Sequence, residues 1–267
     1  MSYPTAETLG AAGLDLAVDG PVLTVTLSRP DVRNAQTPAM WRALAAVGAA
    51  VEDDVRVVVV RGAGASFSAG LDRAMLSPAG IEGETSFPEM ASGTVEDFDA
   101  TVAAYQEGFT WLRDPRFVSI ALVQGHAVGA GFQLALACDL RIVAEDAQFC
   151  MKEPALGLVP DLTGTKPLVE AVGYARALEI CATARWVPAE EATRLGLALE
   201  TVALDGLDAR LAELVAALTA APHGAVSATK ALLQSAGDLD LAAQSRAERR
   251  AQHGRFRAVL AAMGGAR

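Results

Sequence analysis

From Lys152 to Asp161 the chain reads Lys-Glu-Pro-Ala-Leu-Gly-Leu-Val-Pro-Asp, setting two carboxyl groups, Glu153 and Asp161, eight residues apart. Two glycine-bearing turns lie upstream, Phe67-Ser68-Ala69-Gly70-Leu71-Asp72 and Gly129-Ala130-Gly131-Phe132-Gln133. A turn that opens a helix leaves backbone N–H groups without partners, and the helix dipole adds to their pull on negative charge. The N–H groups of Leu71 and Ala130 are the candidates, because the flanking glycines let a ligand approach the backbone closely. Two such donors on one oxygen, with a carboxylate base beside them, are the parts needed for proton chemistry next to a carbonyl. Each part also has a plainer reading: a glycine-assisted connection for either turn, a surface acid before Pro154 for Glu153, and a turn or helix-cap residue for Asp161.

Other chemistries find less support. Gly62-Ala63-Gly64 and Gly129-Ala130-Gly131 each begin a dinucleotide-binding pattern, but Phe67 and Leu134 stand where its third glycine belongs. No Gly-x-Ser-x-Gly occurs, and no histidine has a convincing nucleophile neighbour in sequence. His126 is expected to pack, and Trp41, Trp111 and Trp186 to serve a core or an interface. Cys138, Cys150 and Cys181 are odd in number and lack Cys-x-x-Cys spacing, so they read as buried reduced thiols rather than a disulfide or metal framework. Apolar residues make up 52% of the 267, and the net charge is −10, which argues for a globular protein and against nucleic acid as a partner. Met1-Ser2-Tyr3-Pro4 opens no basic-then-apolar signal and no apolar run reaches membrane-spanning length, so a cytoplasmic protein without a membrane partner is expected.

The elements that would position these residues follow from periodicity. Leu14, Leu16 and Val18, then Leu23, Val25 and Leu27, alternate on either side of Asp19-Gly20 and predict a hairpin. Thr37-Pro38 predicts a helix start whose apolar face is Leu44, Val47 and Val51. Val55–Val60, Val118–Val123 and Leu140–Ala144 predict strands buried on both faces, alternating with helices in an α/β fold. Ser77–Thr94 reads as a long loop that could act as a lid. After it Val95, Phe98, Val102, Tyr105, Phe109 and Leu112 recur at helical spacing, mostly as a core stripe, part of which could wall a pocket. Pro188 opens and Gly196 closes a further short helix. Strand signals stop at Asp205, dividing the chain into an α/β core over residues 1–204 and a helical region over 205–267.

These motifs together resemble the crotonase superfamily, the enoyl-CoA hydratase/isomerase family. The matching residues are Leu27-Ser28-Arg29-Pro30 with Asn34-Ala35, the 67–72 turn, Gln124 through Gly131, Cys138-Asp139, Ala147-Gln148-Phe149, Leu156 through Pro160, and Ala189-Glu190-Glu191-Ala192 ending at Gly196-Leu197. The resemblance spans about residues 14 to 235. It implies a crotonase-like spiral of ββα units with a helical C-terminal trimerisation region, giving a homotrimer or a dimer of trimers. It also implies an acyl-CoA thioester as ligand, with coenzyme A bound only as part of the substrate, and the Leu71 and Ala130 amides as an oxyanion hole. Ala69, Leu71 and Asp72 are then expected along the pantetheine and adenine, with Val32 and Arg33 near the nucleotide. Arg29, Arg33, Arg73 and Lys230 are candidates to offset the phosphates. Family hydratases carry two glutamates; here the first position is Gln133 and the second is Glu153. Gln133 cannot take a proton, although its amide could orient a water. Asp161 occupies a position typically glycine in those hydratases, and resembles the family's double-bond isomerases. Isomerisation through a dienolate is the leading expectation, with Asp161 ahead of Glu153 as the proton shuttle. Hydration by Glu153 alone and acyl-CoA binding without turnover are the alternatives. The closing Gly264-Gly265-Ala266-Arg267 departs from the family's longer helical tail, which supplies a wall of the acyl pocket in family members.

Overall fold

The computed structural model describes residues 2–264; Met1 and Gly265-Ala266-Arg267 lie outside the described residues. In chain order the elements are α1 (Ala6–Ala11), β1 (Leu14–Asp19), β2 (Val22–Leu27), α2 (Pro38–Ala49) and β3 (Val57–Gly62). Then come α3 (Phe87–Ser92), α4 (Val95–Thr110), β4 (Val118–Val123), β5 (His126–Val128), α5 (Ala130–Ala137), β6 (Leu140–Ala144) and β7 (Gln148–Cys150). The rest are α6 (Thr165–Val172), α7 (Tyr174–Thr183), β8 (Val187–Pro188), α8 (Ala189–Arg194), β9 (Glu200–Val202), α9 (Leu207–Ala220), α10 (His223–Ser235) and α11 (Leu241–Gly264).

The predicted hairpin forms with Leu14 opposite Leu27 and Asp19 opposite Val22. It edges a six-stranded sheet ordered β1-β2-β3-β4-β6-β9, in which every pairing after the hairpin is parallel. The all-valine run of β3 is explained by its two buried faces. Val58 and Val60 join the main core, whereas Val57 and Val59 face a second core that includes Leu207 and the partly buried Leu211, Leu214 and Leu218 of α9. Each face demands an apolar side chain, so alternation disappears. A smaller sheet, β5-β7-β8, receives a short strand after β4 and another after β6. Large-sheet strand, small-sheet strand and helix repeat as β4-β5-α5, which is the implied ββα spiral. The small strands were too short to be legible as a pattern. The free cysteines follow the expectation: Cys138 and Cys150 are buried and Cys181 is half-buried.

The expected lid is not a loop throughout. Within Ser77–Thr94 the segment Phe87–Ser92 is helical, closed by a capping box in which Ser86 Oγ accepts from Glu89 N and Glu89 Oε2 accepts from Ser86 N. The Ser-x-x-Glu signature was present, but the surrounding Pro, Gly and Ser composition masked it. In α4 the stripe is also split. Val102, Tyr105 and Phe109 are buried, whereas Val95 is 79% exposed.

Candidate active site

The first turn leaves β3 and is stiffened by side chains lying beneath it. Asn34, fully buried, donates through Nδ2 to the carbonyls of Ala63 and Ser66, both at 2.8 Å. Ser68 Oγ donates to Asn34 O at 2.8 Å and in turn accepts from Gly70 N at 3.2 Å. Gln36 N donates to Gly70 O, and Asp72 N to Gln36 O, at 2.7 and 2.8 Å. Between them the N–H of Leu71 donates no hydrogen bond among the described residues. The anticipated helix here is only a four-residue 3₁₀ turn, Arg73–Leu76, so helix-dipole support does not reach Leu71.

The second turn comes from the small sheet. Gly129 N donates to Cys150 O at 2.8 Å, which ends the β5–β7 pairing and starts α5 at Ala130. Ala130 is the first residue of that helix, so its N–H has no intrahelical acceptor. A backbone bridge joins the turns: Ser68 N donates to His126 O at 2.8 Å and Val128 N to Ser68 O at 3.0 Å. Glycine is required where they meet. Gly70 has φ +88°, and a Cβ there would strike Val128 O and lie 3.6 Å from Ala130 N. A Cβ on Gly131 would sit 2.6 Å from Ser68 O. Leu71 and Ala130, from distant parts of the sequence, thus line one cavity, and neither N–H donates a hydrogen bond among the described residues.

Both acids line the same cavity. It measures about 270 Å³ and is otherwise apolar, walled by Trp41, Phe87, Met90, Phe98, Val102 and Tyr105. The Glu153 carboxyl lies beside the second turn, its Oε1 3.1 Å from where a Cβ on Gly129 would be. Its Oε2 is buried with no hydrogen-bond partner among the described residues. Burial pushes the Glu153 carboxyl above its ordinary range, and the charge of Asp161 adds to the rise. Asp161 is exposed at the residue level, yet the apolar surroundings of its carboxyl push it up as well. Both carboxyls are therefore shifted toward the protonated form, Glu153 by burial and by the charge of Asp161, and Asp161 by burial.

Gln133 is fully buried. Its Nε2 donates to Glu153 Oε1 at 2.8 Å, and its Oε1 accepts from Leu162 N and Gly164 N at 2.9 and 3.2 Å. The expectation that its amide could orient a water in the site is therefore corrected, because Gln133 is fully buried, lies outside the cavity lining and makes its hydrogen bonds to protein.

The residues expected along coenzyme A divide into two groups. Val32, Arg33 and Arg73 are exposed on the outer side of the first turn, and Ala69 N donates to Arg33 O at 2.8 Å. Arg29 pairs with Asp72 at 3.0 Å, so these two partly neutralise each other. Lys230 is a correction. Its ammonium is buried and donates to Asp114 O, Phe117 O and Asp139 Oδ2, each at 2.7 Å, which leaves no donor for a phosphate. His126 packs as expected, its ring 5.5 Å from that of Trp186. It does have a serine neighbour, Ser66 Oγ at 3.2 Å from Nδ1, but Ser66 is buried away from the cavity lining. The pocket walls on α3 were missed because that helix was not foreseen. Phe98, Val102 and Tyr105 are the part of the α4 stripe that walls the pocket, and Trp41 is a core residue that also lines it.

A family model described as enoyl-CoA hydratase/isomerase matches residues 18–264. A Mycobacterium tuberculosis protein named "probable enoyl-CoA hydratase" is 39% identical over 239 residues, covering 88% of this chain and 87% of that one. Two crystal structures from Thermobifida fusca are also similar. One, in complex with CoA, has 52% identity and TM-score 0.92 and covers 97% of this chain and 98% of that chain. The other, in complex with acetoacetyl-CoA, has 54% identity and TM-score 0.92 over 96% and 99% of the two chains. With the ββα spiral, the paired turns and these similarities together, this chain belongs to the enoyl-CoA hydratase/isomerase family of the crotonase superfamily.

Proposed function

We propose that this protein moves a double bond in an unsaturated acyl-CoA, converting a 3-enoyl thioester to its 2-enoyl isomer. The observation that carries the reading is that Glu153 and Asp161 share one apolar cavity with the two free turn amides, while Gln133 is sealed behind them. The thioester oxygen receives the Leu71 and Ala130 N–H groups, which lower the cost of a dienolate. Each donor of this kind is worth about 3 kcal/mol in a transition state. The ionised acid takes the proton from C2 and the protonated acid delivers one to C4. The C3=C4 bond becomes C2=C3, and a proton passing between the acids restores the pair. No water is activated, so a glutamine at position 133 is no handicap. Arg33 and Arg73, exposed beside the first turn, are the candidate cations for the phosphates of coenzyme A, a ligand class supported by the CoA and acetoacetyl-CoA complexes of the two Thermobifida fusca structures.

A second reading is hydration of a 2-enoyl-CoA by Glu153. The unpartnered, buried Glu153 Oε2 could hold a water, and the Mycobacterium tuberculosis relative carries a hydratase name. Absorbance of the conjugated thioester separates the readings. Isomerisation gives a rise from trans-3-enoyl-CoA, reduced about 100-fold or more in Asp161→Asn, since one general acid–base group is worth 10²–10⁴. Loss of absorbance from trans-2-enoyl-CoA without any rise from the 3-enoyl substrate means hydration instead. We also propose that the chain works in the cytoplasm and self-associates as a trimer or hexamer through its C-terminal helices. The open apolar residues of α11 support the association.

A further inference from the structure

Behind the two acids, Gln133 occupies a position that no proton-transfer step uses. Its carboxamide is fully buried and makes three hydrogen bonds, two to one turn of the site and one to Glu153. The oxygen accepts from the amides of Leu162 and Gly164, which flank Thr163. Thr163 has φ +69°, a left-handed conformation that is a real outlier for a β-branched residue and persists only where the surroundings impose it. The turn so held begins at Asp161. Gly164 makes the grip possible, because a Cβ there would lie 2.6 Å from Gln133 Cγ. The nitrogen end reaches the other way and donates to Glu153 Oε1, leaving Oε2 unpartnered.

We infer that Gln133 is a positioning residue whose single carboxamide sets both acids, holding the strained Asp161–Gly164 turn through its oxygen and orienting Glu153 through its nitrogen. An amide serves both ends at every pH. A glutamate could still accept from the Leu162 and Gly164 amides, but when ionised it could not donate to Glu153 and would set a second charge against it. A methionine fills similar space and makes neither contact. The hydrogen bond from Gln133 also stabilises ionised Glu153, so its loss moves that carboxyl further up. The inference rests on the proposed proton transfer, but not on whether the net reaction is isomerisation or hydration.

The test reads proton transfer alone. Wild type, Gln133→Met and Gln133→Glu are incubated with a saturated acyl-CoA in D₂O, and exchange of the C2 protons is followed by NMR across pH. Binding of the same ester is measured by calorimetry. Gln133→Met should slow exchange about 100-fold, the loss expected when reacting groups shift by about 1 Å. Its affinity should stay within about twofold, since Gln133 is sealed from the ligand. Gln133→Glu, nearly isosteric and so less exposed to misfolding, should move the acid limb of the exchange profile to higher pH. A purely structural residue would lower the melting temperature without moving that limb. Wild-type exchange rates with an unmoved acid limb in Gln133→Glu would overturn the inference. So would hydration of a 2-enoyl-CoA appearing in Gln133→Glu with exchange intact, because position 133 would then be an acid rather than a brace. Exchange by wild type without isomerisation would sink the proposed function alone. No exchange by wild type would overturn both.

Discussion

Glu153 is tuned at a cost to the fold. Its carboxyl sits above the ordinary range because of burial, reinforced by Asp161. The native state therefore binds its proton more tightly than the unfolded chain does. With more protons bound in the native state, stability falls as pH rises from the ordinary value of about 4.3 through the raised one, and stays reduced above it. Glu153→Gln should accordingly be more thermostable than wild type at pH 7, by about 2–4 °C for each kcal/mol recovered, while losing activity. The gain should vanish below about pH 4, where both forms are neutral. Melting curves at the two pH values decide it, and equal melting temperatures at pH 7 would contradict the raised value. At this scale residue type made both acids legible. What Gln133 touches was not legible, since its three partners lie 20, 29 and 31 positions away.

Among the elements, α10 shows how a charge can be misread. Its Lys230 looked like a candidate for a phosphate, yet it fastens the helix to the carbonyls of Asp114 and Phe117 and to Asp139. Asp139 Oδ2 also accepts from Ser119 N and Oγ at 2.8 and 3.0 Å, so one half-buried carboxylate joins β4, the start of β6 and α10. Lys230→Met would leave that carboxylate unpaired, a change that typically costs about 3–5 kcal/mol. The expected result is a markedly lower denaturation midpoint with coenzyme A affinity of the folded fraction unchanged. A selective loss of affinity would restore a ligand role. For α3, the Ser86-x-x-Glu89 cap was readable, and the bidentate Arg42–Glu84 pair that ties its approach to α2 was not. A pair 42 positions apart leaves no local pattern.

For the molecule as a whole, α11 carries Phe256, Val259, Leu260 and Met263 on one side at helical spacing, all more than half exposed in a single chain. A contiguous exposed apolar face of this kind marks an interaction site. Light scattering should give a mass that is a multiple of 27.6 kDa, and Phe256→Asp with Leu260→Asp should shift it toward one chain. A wild-type monomer would end the proposal of self-association. By itself the sequence determined the α/β class, the buried strands, both glycine turns and the two acids. These depend on local periodicity, backbone freedom and side-chain chemistry, which neighbouring residues express. Tertiary structure alone decided what Gln133 touches, that Lys230 is a strut and that α3 walls the pocket. Each of those outcomes is a contact between segments far apart in the chain, and only the packing of the two sheets and their helices brings such segments within hydrogen-bond reach.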